Sequence, residues 1–225
     1  MSTETDLIEA VKAGDADRVA GLVAAEPALS SARDVDGISA LMLSRYRSDR
    51  AVTDALLAGD PELDVYEAAT LGYVDRLRER LSEAPSRATD RSSDGFTALH
   101  FAAFFGKAET ARILLEAGAS VDAVAENRIH VQPLHSAAAN RHVEVCRLLL
   151  AAGADVDARQ DGGFTALHAA AQNGDPELTE LLLSAGADPG ATDDEDRTAA
   201  EMAEAAGHHD LASRLDDVER ERISG

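Results

Sequence analysis

The segment Asp94-Gly95-Phe96-Thr97-Ala98-Leu99-His100-Phe101-Ala102-Ala103-Phe104-Phe105-Gly106 returns as Gly162-Gly163-Phe164-Thr165-Ala166-Leu167-His168-Ala169-Ala170-Ala171-Gln172-Asn173-Gly174. Between them lies Gln132-Pro133-Leu134-His135-Ser136-Ala137-Ala138-Ala139-Asn140-Arg141. With the Thr97 position as origin, starts fall at 97, 132, 165 and 198, at intervals of 35, 33 and 33. The first three are each followed, 21 residues on, by Gly118, Gly153 or Gly186 inside Ala-Gly-Ala, and the last, Thr198-Ala199-Ala200-Glu201, lacks that ending. Self-similarity at this period is the mark of stacked helical repeats.

One unit has a simple physical reading. The Thr97 hydroxyl can cap a short helix, on which Leu99, Ala102 and Ala103 share a face. Gly106 ends that helix by supplying a left-handed residue at no steric cost. A second helix follows, with Ala111, Ile113 or Leu114, Leu115 and Ala117 as its apolar positions and Gly118 as its stop. Asp-Gly or Gly-Gly at the tip of the connection is turn chemistry. A lone helix pair cannot bury its apolar face, so the units must stack.

These residues closely resemble ankyrin repeats, whose period is about 33 and whose signature is T-P-L-H-x-A. More weakly, the resemblance covers nearly the whole chain. Asp64-Val65-Tyr66-Glu67-Ala68-Ala69-Thr70-Leu71-Gly72 gives a start at Leu63, Ser39-Ala40-Leu41-Met42 another, and Asp6 to Gly14 a first start at Thr5. The expectation is one domain, 1–225, of seven units starting near 5, 39, 63, 97, 132, 165 and 198, with capping units at both ends and a frayed tail over 217–225. The fold class implied is all-α, an ankyrin-repeat α-solenoid with short finger turns between helix pairs. The interval from Ser39 to Leu63 is only 24 residues, which predicts a missing finger after a second helix over Arg50 to Ala58. The interval of 35 predicts a lengthened finger at Glu126-Asn127-Arg128-Ile129-His130-Val131. Arg141 and Ser48 stand where the stop glycine belongs and should adopt positive φ.

Composition bounds the rest. Of 225 residues, 45% are hydrophobic but only 4% aromatic, and 45 are Ala, which suits thin layers of closely packed helices. No apolar run approaches the roughly 20 residues that a membrane span needs. A net charge of −21 argues against nucleic acid and anionic membrane as partners and favours a basic or mixed protein. Cys146 stands alone, so no intrachain disulfide forms. The acidic start Met1-Ser2-Thr3-Glu4-Thr5-Asp6 lacks the basic and apolar regions of a signal peptide, which points to a cytoplasmic protein. Arg exceeds Lys by 19 to 2, and with the Ala content this hints at a GC-rich, bacterial genome.

No catalytic, metal or cofactor site emerges. His100, His135 and His168 recur with the period, but equivalent residues of stacked helices sit roughly 8–10 Å apart, whereas zinc holds its nitrogens at about 2 Å. The resemblance gives them a structural role, hydrogen-bonding Thr and neighbouring backbone, and makes His142 structural as well. Adjacent His208 and His209 diverge on a helix. Cys146 lies in an apolar second helix and reads as a small buried hydrophobe. Phosphate-loop, dinucleotide, zincin and nucleophile-elbow motifs are missing. Asp193-Asp194-Glu195-Asp196 lacks the glycine and ligand spacing of a calcium loop and reads as a solvated finger.

What remains is surface recognition. The resemblance implies a concave side built from finger tips and the last turn of each first helix, and protein partners bound there. By register it holds Phe96, Phe104 and Phe105, then Ile129, Val131, Ala139 and Asn140, then Phe164, Gln172 and Asn173. Towards the N-terminus it adds Tyr46, Arg47, Thr70 and Leu71. Three of the five Phe thus map to one place. Phe104 and Phe105 read either as an exposed patch or as core filling among small Ala side chains, whereas Phe101 belongs to the core. The function expected is a monomeric, non-catalytic protein–protein interaction module. The alternatives are an acidic inhibitor that mimics nucleic acid, discriminated by steep salt dependence, and a structural spacer in a larger assembly.

Overall fold

The computed structural model describes residues 3–224 and divides into two compact units, one running to Glu67 and one starting at Ala68. In the first, α1 (Thr3–Ala13) pairs with α2 (Ala16–Ala25), and α3 (Ala40–Tyr46) with α4 (Arg50–Leu57). Next come α5 (Val65–Leu71) and α6 (Val74–Glu83), then α7 (Ala98–Phe104) and α8 (Ala108–Glu116). The chain continues through α9 (Pro133–Ala139) and α10 (Val143–Ala151), α11 (Ala166–Gln172) and α12 (Pro176–Ser184), and α13 (Ala199–Ala205) and α14 (His209–Ser224). Among the described residues strand pairing is limited to single bridges closing finger bases, Arg33 with Ser39, Arg91 with Thr97 and Thr192 with Thr198.

In the second unit the short helices α7, α9, α11 and α13 pack on one another in series, and α8, α10 and α12 form a second layer. Leu99, Leu134 and Leu167 are fully buried, and the paired alanines Ala102–Ala103, Ala137–Ala138 and Ala170–Ala171 have no exposed surface. Side chains this small let neighbouring helices approach, and the bulkier Leu of each unit fills what remains. This is the all-α repeat stacking expected from the sequence.

Caps fix the true register. Thr97, Thr165 and Thr198 cap α7, α11 and α13 in reciprocal boxes with His100, His168 and Glu201. The third unit corrects the expectation. Asp64, not Leu63, caps α5, accepting from the N–H groups of Tyr66 and Glu67 at 2.9 Å while Glu67 Oε2 accepts from the Asp64 N–H at 2.7 Å. Leu63 is the buried residue just outside the cap, where an apolar side chain staples the entry of a helix. In the first unit α1 is already helical at Thr3, so Thr5 is not its cap.

The stop positions behave as read, with Gly106 at φ +66°, Ser48 at +54° and Arg141 at +60°. Arg141 offsets the cost of that conformation by an ion pair of 3.1 Å with Asp175, the buried residue that caps α12. Between α4 and α5 the chain turns through Asp60, at φ +50°, with no bridged finger among the described residues. The long finger is clasped on both sides: the Glu126 N–H donates to the Gly95 carbonyl (2.9 Å) and the Asp161 N–H to the Ile129 carbonyl (3.4 Å). The Asp194 N–H continues the series to the Gly162 carbonyl at 2.9 Å.

Of the tail expected to fray over 217–225, residues 217–224 are helical as the end of α14, and Gly225 lies outside the described residues. Arg220 pairs with Asp217 at 2.6 Å within the helix, Arg214 with Glu180 at 2.7 Å, and Arg222 with Asp188, so the last turns are tied to the preceding repeat.

Gln132 stands where the neighbouring units have Thr, and its longer side chain closes the same reciprocal box with His135 at the start of α9. A Gln side chain gives up about 1.5–2 kcal/mol of rotamer freedom when it is fixed in this way, more than the short Thr does. Gln132→Thr is expected to raise stability by about 1 kcal/mol, read as a higher urea midpoint. An unchanged or lower midpoint would count against this account of the cap.

Candidate functional site

The repeated histidines are committed to the scaffold. His100 Nδ1 accepts from the Thr97 N–H at 3.2 Å and lies 2.8 Å from its hydroxyl, and Nε2 donates to the Val131 carbonyl at 3.1 Å. His135 and His168 repeat the arrangement, reaching the carbonyls of Ala158 at 2.9 Å and Arg197 at 3.2 Å. One nitrogen must accept and the other donate, so the rings are held neutral. Burial takes the His100 pKa down to about 4 and lowers those of His135 and His168. Each ring therefore ties a first helix to the finger of the next unit, and none is placed for acid–base work on a ligand. His142 Nε2 is likewise engaged, 3.0 Å from the Phe104 carbonyl.

Cys146 has no exposed surface, and burial pushes its thiol up to about 12, so the nucleophilic thiolate does not form at ordinary pH. Among the described residues no three His, Cys, Asp or Glu side chains converge as a metal site, and no helix is long and apolar enough to cross a membrane.

The finger and first-helix side presents a different chemistry. Phe104, the last residue of α7, is 46% exposed, and Phe105, half-buried, meets it at 5.0 Å between ring centroids. Phe96 is half-buried with its ring edge-on to His100 and to the buried Phe101, at 5.7 and 5.6 Å. Phe164 stands tilted against His168, at 5.7 Å between ring centroids. Ile129 projects from the long finger, 52% exposed, and Val131 at its base is half-buried.

Ala139 and Gln172 are exposed. The neighbouring amides are half-buried and anchored, Asn140 donating to the Ser136 carbonyl at 2.9 Å and Asn173 to the Ala139 carbonyl at 3.1 Å. Leu71 is half-buried at the end of α5, and in the first unit Tyr46 and Arg47 are exposed. Thr70 is a correction: it is fully buried, on the inward face of α5 with Ala68 and Ala69, and cannot meet a partner. Tyr73, 43% exposed just after Gly72, is an aromatic that counting Phe alone overlooks.

Taken by register, three positions per unit form a strip: Phe96, Phe104 and Phe105; Val131, Ala139 and Asn140; Phe164, Gln172 and Asn173. None is charged, in a chain where 28% of residues are. In the following unit the equivalent positions are Arg197, Ala205 and Ala206, all exposed. The uncharged positions of the strip offer apolar contact and amide hydrogen bonds.

Residues 94–126 match the model of the family described as Ankyrin repeat, and residues 134–183 the model described as Ankyrin repeats (many copies). The human protein DNA-binding protein RFXANK is 33% identical over 90 residues, which are 40% of this chain and 34% of that protein, so the chain spans about a third of this relative's length. Ankyrin repeats are in general protein–protein interaction modules, typically without catalytic activity.

Proposed function

We propose that this chain of ankyrin repeats is a non-catalytic protein-binding module, a cytoplasmic monomer that grips its partner on the concave side formed by fingers and first helices. The observation that carries the reading is the uncharged strip headed by the exposed Phe104. Aromatic side chains, Phe among them, are enriched at protein interfaces relative to the rest of the surface. Leu71 and Ile129 would extend the contact as its rim. The DNA binding in the name of the human relative does not transfer to this chain, because a net charge of −21 opposes phosphate contacts. An acidic nucleic-acid mimic is disfavoured because acids such as Glu180, Asp188 and Asp217 are paired with Arg214, Arg222 and Arg220.

The test is affinity capture from an extract of the source cell with wild type and with the double variant Phe104→Asp/Phe105→Asp. Both should give the same circular dichroism spectrum, since Phe104 is exposed and Phe105 only half-buried. The variant is expected to lose its specific partner, a fall in binding of at least about tenfold for an aromatic hot spot. Identical partner lists with both proteins folded would overturn the reading.

A further inference from the structure

Asn or Asp precedes Gly at four places in the chain, Asp36-Gly37, Asp94-Gly95, Asp161-Gly162 and Asn173-Gly174. A glycine has no Cβ to shield its nitrogen, which can then reach the side-chain carbonyl carbon of the residue before it. Whether it does so depends on what already holds the two groups, and three of the four pairs are held. The Gly37 N–H donates to the Asp34 carbonyl at 3.0 Å, the Gly95 N–H to the Ser92 carbonyl at 2.9 Å and the Gly174 N–H to the Ala171 carbonyl at 3.0 Å. The Asp94 carboxylate also accepts from the Ser92 hydroxyl, and the Asn173 amide donates to the Ala139 carbonyl at 3.1 Å. Asp161-Gly162, at the tip of the finger before α11, differs on both counts. The Gly162 N–H has no hydrogen-bond partner among the described residues, and both residues are exposed. The Asp161 carboxylate is 56% exposed, and His130, its partner at 2.9 Å, is 59% exposed. A pair so open to water is weak and does not pin the carboxyl group.

We propose that Asp161-Gly162 is a site of spontaneous backbone modification, at which aspartate converts to isoaspartate in the folded protein while the other three pairs are protected. The Gly162 nitrogen attacks Asp161 Cγ, one C–N bond forms and one C–O bond breaks, and the carboxyl OH departs as water with the amide proton. The product is a five-membered succinimide. Water then adds to the main-chain carbonyl carbon of Asp161 and breaks its bond to the Gly162 nitrogen, so that the backbone runs through Cγ and the mass is unchanged from the start. No oxidant, enzyme or cofactor takes part. The rerouted backbone is longer by one C–C bond, about 1.5 Å. That length enters a finger held on both sides, by the Asp161 N–H on the Ile129 carbonyl (3.4 Å) and by the Asp194 N–H on the Gly162 carbonyl (2.9 Å). Isoaspartate therefore loosens the clasp between neighbouring fingers, next to Phe164, and does so whether or not the strip binds a partner.

The test is to age the full chain at 37 °C and pH 7 for several weeks, folded and in parallel unfolded in urea, and to measure isoaspartate at each position by peptide mass spectrometry with fragmentation that distinguishes the two linkages. In the folded chain isoaspartate is expected at Asp161 at least tenfold faster than at Asp36 or Asp94. In urea the three Asp-Gly pairs should react at rates within about twofold of one another, because the same dipeptide then has the same freedom at each place. Equal rates in the folded chain, a faster reaction at Asp36 or Asp94, or no isoaspartate at Asp161 would overturn the proposal. A preference for Asp161 that persists in urea would overturn the structural reason given for it. Hydrogen exchange on the aged protein reads the consequence for the clasp: the peptide carrying Asp194 should show a second, faster-exchanging population in proportion to the isoaspartate content. One slow population at high isoaspartate content would overturn the loosening of the finger.

Discussion

Lowering the pH from 7.5 to 5.0 is expected to remove about 2 kcal/mol of folding stability through His100 alone. Burial lowers its folded pKa to about 4, against 6.5 for the free side chain. The unfolded chain therefore takes up a proton as the pH falls through 6.5, and the folded chain does so only near 4. The stability that His100 contributes is complete above its unfolded pKa and is lost progressively as the pH falls between those values. His135 and His168 are buried in the same way and shift in the same direction, so the full loss is larger. Glu67 works against them, since burial and the neighbouring Asp64 carboxylate raise its pKa and its protonation relieves the folded state. The measurement is the urea midpoint at the two pH values. A midpoint that does not fall on acidification would show that the three rings do not need to be neutral, and the hydrogen-bond scheme proposed for them would be wrong.

Gly95→Ala is expected to be the most damaging of the glycine substitutions in the fingers. A Cβ there would lie 2.5 Å from the Glu126 carbonyl oxygen and 2.8 Å from its carbon, and Gly95 has φ +85°. The obstacle is backbone, so it cannot rotate away, and the 2.9 Å bond from the Glu126 N–H to the Gly95 carbonyl would be pried open. Left-handed strain of about 1–2 kcal/mol and a lost hydrogen bond of about 1 kcal/mol together give a cost of roughly 2–3 kcal/mol. Gly118→Ala is the matched control, because Gly118 has φ +90° but nothing within 4 Å of the added carbon. It should show the strain alone. Equal losses in the two variants would mean that the contact between neighbouring fingers contributes nothing.

The helical repeat stack was legible in the sequence because each element announces itself chemically: Thr97 and Thr165 as caps, Leu99 and Leu167 as buried anchors, Gly106 and Gly174 as left-handed stops. Even the substituted stops at Ser48 and Arg141 could be read, since the backbone demand belongs to the position and not to the residue. The start at Asp64 was missed by one residue because Asp and Glu replace the Thr and His of the other units, and α5 reaches its stop at Gly72 one position sooner than α7 reaches Gly106. The order of the last turns of α14 was hidden for another reason. A run of alternating charge looks like a solvated tail until the acids of the preceding repeat, Glu180 and Asp188, are placed beside Arg214 and Arg222. At the candidate site the residue types were legible and their exposure was not. Phe104 and Phe105 fall at the end of α7, where helical periodicity stops assigning faces, and only the packed structure separates the exposed ring from the half-buried one. Thr70 was placed on the outside by register alone, which cannot see that α5 turns that position inward.

The inert Cys146 has a practical consequence. A chain whose sole sulfhydryl is sealed in an apolar helix is a silent background for site-directed labelling. A cysteine introduced at Gln172 or Ala205, both open to solvent, would be the one thiol that a maleimide dye could reach, so a fluorophore could report from the strip or from the unit beyond it without first removing the native residue.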